Sequence, residues 1–369
     1  MAQKIAIIGG GIAGLAFAVY YQSLGGEVDI YERSSKSGRE GLGFIMLENG
    51  LNAMQGLGLR NHVKHNGFPV EHCHIRDNFN NLLINQSLPG SYGITRKAFV
   101  DILLEKLPQD RIHFDYEFSH FEWQGDNSNS TNQSSEARCA VFTNGKKVSA
   151  DLFIGSDGAG SPVRKQIFPQ ATRSSVKCKE LVSVVKAPDL VSQMNQTFTK
   201  YKSLDGGLAV GTVATSEDTI VWFIQFSTEK YDEQLAQLDK QSFAETLVGD
   251  WPPLIQSLIR QTDFNQSYLA LSAHLNPIEQ FFAGNVVLMG DAAHALLPFT
   301  SQGVNSAIED AIELARTLQN TKAGYSAVAL AHYSSVRRNI VNQYLAQGIA
   351  LQEEFLAPHQ ADQKIPFAF

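Results

Sequence analysis

The sequence predicts an α/β fold: a parallel sheet flanked by helices, interrupted by an inserted, mainly β domain and closed by C-terminal helices. Three stretches carry that prediction: Ala6–Gly14 (AIIGGGIAG), Asp151–Arg164 (DLFIGSDGAGSPVR) and Val286–Asn305 (VVLMGDAAHALLPFTSQGVN). Each sets a short apolar run, suited to a buried parallel strand, directly before a glycine-containing turn. Together they are far more specific than any one of them.

In the first stretch, Lys4–Ile8 reads as a buried strand and Ala13–Leu24 as a helix, with Gly9, Gly11 and Gly14 between them in G-x-G-x-x-G spacing. The first glycine permits the tight turn, the second lets backbone approach a pyrophosphate, and the third lets helix and strand pack closely. The helix N-terminus offers free N–H groups and a positive dipole end to phosphates. Val28–Tyr31 reads as the second strand, and Glu32 stands at its end, 18 residues after Gly14. An acidic side chain there accepts hydrogen bonds from a ribose 2′-hydroxyl. A lone glycine triplet often marks only a tight turn, whereas strand, helix and terminal acid in register indicate a Rossmann-like dinucleotide site.

Further along, Gly50–Leu57 and Thr95–Leu107 are predicted helices, the second stopped by Pro108. Arg111–Trp123 and Ala137–Phe142 read as strands joined by a long loop, Asp126–Ser135 (DNSNSTNQSS), and Asn144-Gly145 marks a tight turn. Between about Glu180 and Ser227 the pattern becomes β-rich, with runs at Leu181–Val185, Leu208–Val213 and Thr219–Phe226. Gln234–Trp251 looks helical, Ser267–Ala273 looks like a returning strand, and Ser306–Leu318 and Ala327–Leu351 are closing helices before a less regular tail, Gln352–Phe369.

Bulk properties narrow the function classes. At 369 residues the chain favours two domains. Hydrophobic content of 43% with 18% charged residues is a globular balance, and a net charge of −7 with no basic run argues against a nucleic-acid binder. No run of 18 apolar residues predicts stable membrane insertion, and the N-terminal apolar stretch reads as a first βα unit rather than a signal peptide. Cys73, Cys139 and Cys178 form no C-x-x-C pair and no zinc spacing, which points to incidental thiols, no redox dithiol and a reducing, cytoplasmic compartment. His72 and His74 alternate on a predicted strand with no further ligands at metal spacing, so no metal is expected.

The second and third stretches end in Asp157-Gly158, with Ser161 and Arg164 behind, and in Gly290-Asp291 followed by Ala292-Ala293-His294. Asp-Gly is a common turn dipeptide, and Asp291 alone could be a helix cap. A strand-end Asp is also well placed to hold a polyol hydroxyl. Pro298 then precedes Ser301-Gln302-Gly303-Val304-Asn305, which opens a helix with unpaired N–H groups.

With Glu309-Asp310-Ala311 beyond, these motifs resemble the class A flavoprotein monooxygenases, the para-hydroxybenzoate hydroxylase-like group. The resemblance spans nearly all of the dinucleotide-binding part and matches the central β module only in position and pattern. It implies noncovalent FAD held by Gly9, Gly11, Gly14, Glu32, Arg33 near the adenine, Arg96, Asp157, Asp291, Val304 and Asn305. Arg39 is implied near the pyrophosphate or the incoming nicotinamide. It further implies a discontinuous FAD-binding domain over 1–70, 95–175 and 274–369, with a substrate domain over 71–94 and 176–273. This chain departs from the family at Ser301, usually Gly, and at Glu48-Asn49-Gly50, usually Pro-Asn-Ala.

The implied activity is an NAD(P)H- and O2-consuming hydroxylation of an aromatic or polycyclic small molecule through a flavin C4a-hydroperoxide. Pro298 shapes the loop at the reacting face, and the Gln302–Asn305 amides, with Gly303, stabilise charge at the flavin. No second G-x-G-x-x-G unit exists, which fits a nicotinamide cofactor that docks briefly and leaves NADH or NADPH open. Tyr201, Trp222 and Phe223 are candidate substrate contacts, with Trp222 and Phe223 on opposite faces if they share a strand. A monomer or homodimer is expected. A flavin halogenase is a rival reading, but Trp123, Trp222 and Trp251 are isolated and its Trp-x-Trp-x-Ile-Pro signature is absent. An oxygen-independent flavin reductase or dehydrogenase, and a non-catalytic FAD-binding module, stay open as alternatives.

Overall fold

Two large sheets divide the chain between them, one of six strands and one of eight. The structure is a computed structural model that describes residues 3–35, 43–124, 136–320 and 325–359. The six-stranded sheet runs Phe282–Ala283, Val286–Leu288, Leu152–Gly155, Ile5–Ile8, Val28–Tyr31, Ile112–His113. Its pairs from Val286 to His113 are all parallel, with Ile5 opposite both Leu152 and Val28 and Phe153 opposite Val286. Ile5–Ile8, Leu152–Gly155 and Val286–Leu288 are buried at every position, which is why their sequences are continuous apolar runs instead of alternating ones. The helix Ile12–Ser23 is buried from Ile12 through Tyr21 and packs against the helix Gln302–Gln319. The motif stretches therefore meet as neighbouring strands although 280 residues separate Ala6 from Val286.

The eight-stranded sheet runs Tyr268–Ser272, Cys178–Lys186, Thr219–Ser227, Leu208–Ala214, Thr197–Lys202, Phe68–Asp77, Leu82–Thr95, Gly43–Met46. One face buries Leu181, Val210, Trp222, Ile224 and Phe226 against the helices Lys240–Val248 and Pro253–Gln261. A smaller three-stranded sheet joins Phe118–Trp123, Ala137–Phe142 and Lys147–Val148.

Several sequence expectations are corrected. Gly43–Met46 pairs with Leu82–Thr95 in the eight-stranded sheet, although it lies within the 1–70 segment assigned to cofactor binding. Arg111–Trp123 is broken by Asp115, whose φ of 62° no strand accommodates. Gln234–Trp251 spans two helices, Thr228–Gln237 and Lys240–Val248, because Asp239 leaves the helical conformation and its carboxylate accepts from Ser242 N to cap the second. The closing helix continues to Leu356, five residues past its expected end. The expected loop Asp126–Ser135 lies outside the described residues.

Candidate functional site

The glycine turn is built by close approach. Gly9 has φ +103°, and a Cβ there would stand 2.6 Å from the Ser156 carbonyl oxygen. A Cβ on Gly14 would stand 2.3 Å from the Gly9 carbonyl oxygen, whereas Gly11 faces no heavy atom nearer than 3.7 Å. Two glycines thus pack the turn, and the third leaves room above it. Ser156 Oγ donates to the Gly9 carbonyl at 2.7 Å and ties the first turn to the strand carrying Asp157. Among the described residues no side chain caps the helix that begins after Gly11, which leaves its N-terminal amides available to a ligand.

The acidic candidates stand around this turn, each just past the carboxyl end of a parallel strand, where open α/β sheets bind ligands. Glu32 is buried and accepts from Gly10 N at 2.7 Å and from Ser34 N at 3.0 Å. Asp157 accepts from Val163 N through Oδ2, while its buried Oδ1 has no hydrogen-bond partner among the described residues. Burial pushes the Asp157 carboxyl above its ordinary pKa. Asp291 opens to the crevice, yet the surrounding chain desolvates its carboxyl and raises its pKa, against the opposing field of His294, Arg96 and Arg173. The field of Arg96 at Asp291 brings together two residues far apart in sequence. Arg164 plugs the space beneath, donating to the Ala292 carbonyl at 2.8 Å and the Ala159 carbonyl at 2.6 Å. Arg33 is exposed beside Glu32, and Arg39 lies outside the described residues.

The loop Pro298–Thr300 is a 3-10 turn that ends in Ser301 at φ +54°. That left-handed conformation favours glycine, which accounts for the family's usual Gly at a position filled here by Ser301. The helix Gln302–Gln319 then starts without a side-chain cap. Gln302 and Asn305 are fully buried, and Gln302 Oε1 accepts from Asn49 Nδ2 at 3.0 Å. Asn305 Oδ1 accepts from Leu47 N at 3.2 Å and its Nδ2 donates to the Ser301 carbonyl at 2.7 Å. These side chains brace the loop, whereas Pro298, Gly303 and Val304 line open space. Gly50 is needed here too, since a Cβ at that position would fall 1.9 Å from Asn305 Oδ1.

Behind the loop lies a buried ionic network. Asp310 Oδ2 accepts from Gly290 N at 2.8 Å and contacts His294 Nε2 at 2.5 Å, and Arg337 Nε donates to Asp310 Oδ1 at 2.5 Å. Burial opposes ionisation of Asp310, but the His294 and Arg337 interactions override it and hold the carboxyl at about 2. Arg337 also donates to Glu309 Oε2 at 3.1 Å, and Asn49 donates to Glu309 Oε1 at 3.0 Å.

Between Pro298–Val304 and the second face of the eight-stranded sheet lies a cavity of about 350 Å³. Alternation decides its lining: Val221, Phe223 and Gln225 face it, while Ile220, Trp222, Ile224 and Phe226 face the helices. Of the three aromatic candidates only Phe223 reaches the cavity, its ring lying where a Cβ on Gly211 would come within 2.2 Å. Trp222 is instead buried in the core, donating to Thr262 Oγ1 at 3.0 Å, and Tyr201 is buried on the same side. Sequence reasoning missed Lys200, Glu180 and Gln225 on the cavity face, and Phe299 and Phe355 at its mouth. The available signal was alternation itself, which sets Lys200 opposite to Tyr201 and Gln225 on the side of Phe223. The rings of His72 and His74 lie 6.3 Å apart, and no group of three metal-ligating side chains occurs among the described residues.

Comparison with known proteins agrees with this geometry. Residues 2–347 match the model of a family described as FAD binding domain. The chain is 29% identical over 370 residues to 6-methylsalicylate 1-monooxygenase of Aspergillus terreus, covering 90% of this chain and 79% of that protein. It is 27% identical to an FAD-dependent urate hydroxylase of Mycolicibacterium vanbaalenii, covering 91% of this chain and 84% of the other. The crystal structure of Klebsiella pneumoniae HpxO complexed with FAD and uric acid superposes with a TM-score of 0.82 at 21% identity, covering 96% of this chain and 89% of that one. The chain belongs to the FAD-binding domain family. It is an FAD-dependent monooxygenase, an oxidoreductase of the aromatic-hydroxylase group.

Proposed function

We propose that this monooxygenase hydroxylates a small aromatic molecule in the cavity beneath Pro298–Val304, at the expense of NADH or NADPH and O2. One observation carries the reading: the loop that follows Asp291 is itself a wall of the apolar cavity, so cofactor crevice and substrate space share Pro298, Gly303 and Val304. At about 350 Å³ the cavity sits near the lower end of the roughly 300–1,000 Å³ usual for small-molecule sites, which suits one or two fused rings better than a large polycycle.

The crevice fits FAD. The Gly9–Gly14 turn leaves space above Gly11, and among the described residues no side chain caps the following helix and none partners the buried Asp157 Oδ1. In this reading Gly9, Gly11 and Gly14 admit the pyrophosphate and Glu32 accepts from the adenosine ribose. Arg33 lies on the adenine side, and Asp291 and Arg96 hold the ribityl and phosphate region. Asp157 supports the dinucleotide from below, and the Gln302–Asn305 amides face the ring edge. When bound, FAD supplies acceptance of hydride from the nicotinamide and reductive activation of dioxygen. The protein's own work is positional: Gln302 and Asn305 fix the loop, the helix N-terminus presents amides to developing negative charge, and apolar walls keep water from the reacting atoms.

The test is NADH and NADPH oxidation by the FAD-loaded protein across a panel of phenols, aromatic acids and polycycles, with ¹⁸O₂ label followed into product. Stimulated oxidation with one labelled oxygen in an aromatic product is expected. Oxidation that releases only hydrogen peroxide with every compound, or none at all, refutes the reading.

A further inference from the structure

The cavity is apolar on most sides, with Phe44, Ile75, Val182, Phe198, Val213 and Phe223 on its walls. Its polar residues include Lys202, Ser301 and Glu354, and three others, drawn from three strands, form a connected chain. Lys200 Nζ donates to Gln225 Oε1 at 2.8 Å, and Gln225 Nε2 donates to Glu180 Oε1 at 2.6 Å. Glu180 and Gln225 are cross-strand partners, whereas Lys200 lies one strand further away, opposite Gly211. The strand between carries Gly211 opposite Phe223 and Ala209 opposite Gln225. Its small residues let the lysine stem reach across.

An ammonium at one end and a carboxylate at the other permit only one orientation of the Gln225 amide, carbonyl toward Lys200 and NH2 toward Glu180. Glutamine thus acts as a spacer. Lys200 forms no ion pair among the described residues, and its one hydrogen bond there is to Gln225. Two rings stand beside it, with Nζ 5.2 Å from the Phe299 ring centroid and 5.6 Å from that of Phe355, and the Cys73 and Cys178 thiols and Lys202 also act on it electrostatically. Phe299 directly follows Pro298, which places the ammonium beside the loop shared with the cofactor crevice. Burial lowers the Lys200 pKa to about 8, against the attraction of Glu180, as expected of a cation held without a direct counter-ion. An ammonium has three donors, and two are left for whatever occupies the cavity.

We propose that Lys200, oriented by Gln225 and Glu180, anchors an anionic oxygen of the substrate, a carboxylate or an ionised phenol, and thereby selects aromatic acids over neutral aromatics. This rests on reading the cavity as the substrate site. A ring carrying such a group places its apolar body against Phe223 and Phe198 and its oxygen on Nζ. Apolar walls cannot distinguish benzoate from benzamide, but a desolvated ammonium can, since only the anion completes its charge.

The test needs no turnover. FAD-loaded protein is titrated, without nicotinamide, by flavin difference absorbance with benzoate against benzamide and with pentafluorophenolate against pentafluorobenzene. Lys200→Met and Lys200→Arg variants are titrated in parallel after their FAD content is confirmed. Wild type is expected to favour the anion of at least one pair by roughly ten- to hundredfold, the range for a hydrogen bond to a charged group. The pair that shows the preference identifies carboxylate or phenolate as the anchored group. Lys200→Met should bring the ratio near one, and Lys200→Arg should keep the anion ahead. Equal wild-type affinity within both pairs overturns the proposal while leaving the cavity as an aromatic site. An unchanged preference in Lys200→Met also overturns it. If no aromatic compound perturbs the flavin, the cavity is not the substrate site and both readings fall. The wild-type comparison is decisive even if a variant does not fold.

Discussion

Asp291 is the residue on which cofactor retention is expected to turn. It is the carboxylate that stands free at the crevice wall after a buried strand, and it lies in the field of Arg96 from another segment. Replacing Asp291 with Ala removes a charged acceptor without touching the core, so the protein should fold normally and emerge from purification largely without flavin. Titration of the apoprotein with FAD checks this, and parental affinity would remove Asp291 from the proposed site. Glu32 differs because it has two tasks. One carboxylate oxygen accepts from Gly10 N and the other from Ser34, so the side chain shapes the glycine turn in addition to its proposed ribose contact. Glu32→Ala is expected to weaken FAD binding by about 1–3 kcal/mol. Equilibrium binding within error of the parent would show that Glu32 serves the turn alone.

Strand periodicity gives the sharpest expectation at the level of elements. Phe223→Ala should alter substrate range or coupling with FAD content intact. Trp222→Phe, which loses the hydrogen bond to Thr262 inside the core, should lower thermal stability and leave substrate range alone. The opposite pattern in steady-state assays and melting curves would mean that the strand register is wrong. The same periodicity explains what the sequence made legible. Val28–Tyr31 appears with the same bounds in the structure, and Ile5–Ile8 lies within one residue of its predicted bounds, because a strand buried on both faces leaves an unbroken apolar run. The inserted sheet was legible as β but not in its facing, since bulky aromatic residues are as ready to fill a core as a cavity. Trp222 was a candidate contact that the core takes instead, whereas Lys200, Gln225 and Glu180 gave no sign that three strands bring them together. Asp115 and Asp239 interrupt their elements by local backbone and capping choices that periodicity averages away. Asp310 shows an element-joining residue in the opposite light, since its motif was visible and its function was not. Its carboxyl falls from an ordinary 3.8 to about 2 in the folded protein, so its stabilisation is complete above about pH 4 and is lost as pH falls through 2. Asp310→Asn leaves Glu309 as the ionic partner of Arg337 and should cost about 2–3 kcal/mol at neutral pH, the worth of the lowered Asp310 pKa. The thermal midpoint of the variant should fall well below that of the parent at pH 7, and the two should converge toward pH 2. A parental midpoint at pH 7 would show the network to be dispensable.

At the scale of the whole molecule, the proposed substrate space is an enclosure made by three bodies. The crevice layer supplies Pro298–Val304, the eight-stranded sheet supplies the wall carrying Phe223, and the end of the last helix closes the remaining side with Leu351, Glu354 and Phe355. The sequence placed the substrate domain over 71–94 and 176–273 only, and Gln352–Phe369 reads there as an irregular tail. The helix instead continues to Leu356 and is fastened on arrival: the Phe355 carbonyl accepts from Gly207 N at 2.6 Å, and Lys177 Nζ pairs with Glu353 at 2.6 Å. The Phe355 ring lies 5.6 Å from Phe299, so the last helix touches the loop that borders the proposed cofactor crevice. Water entering between them would divert reducing equivalents from product to hydrogen peroxide, because oxygen transfer depends on a dry site. Phe355→Ala opens that seam without altering any group proposed to hold FAD. The expected result is unchanged FAD content and substrate-stimulated NAD(P)H oxidation, with a larger share of the consumed electrons recovered as peroxide. A neighbouring exposed change, Lys177→Ala, removes only a surface ion pair and should shift coupling little. If Phe355→Ala couples as tightly as the parent with every active substrate, the seal lies elsewhere, and the fastening of the last helix serves stability rather than chemistry.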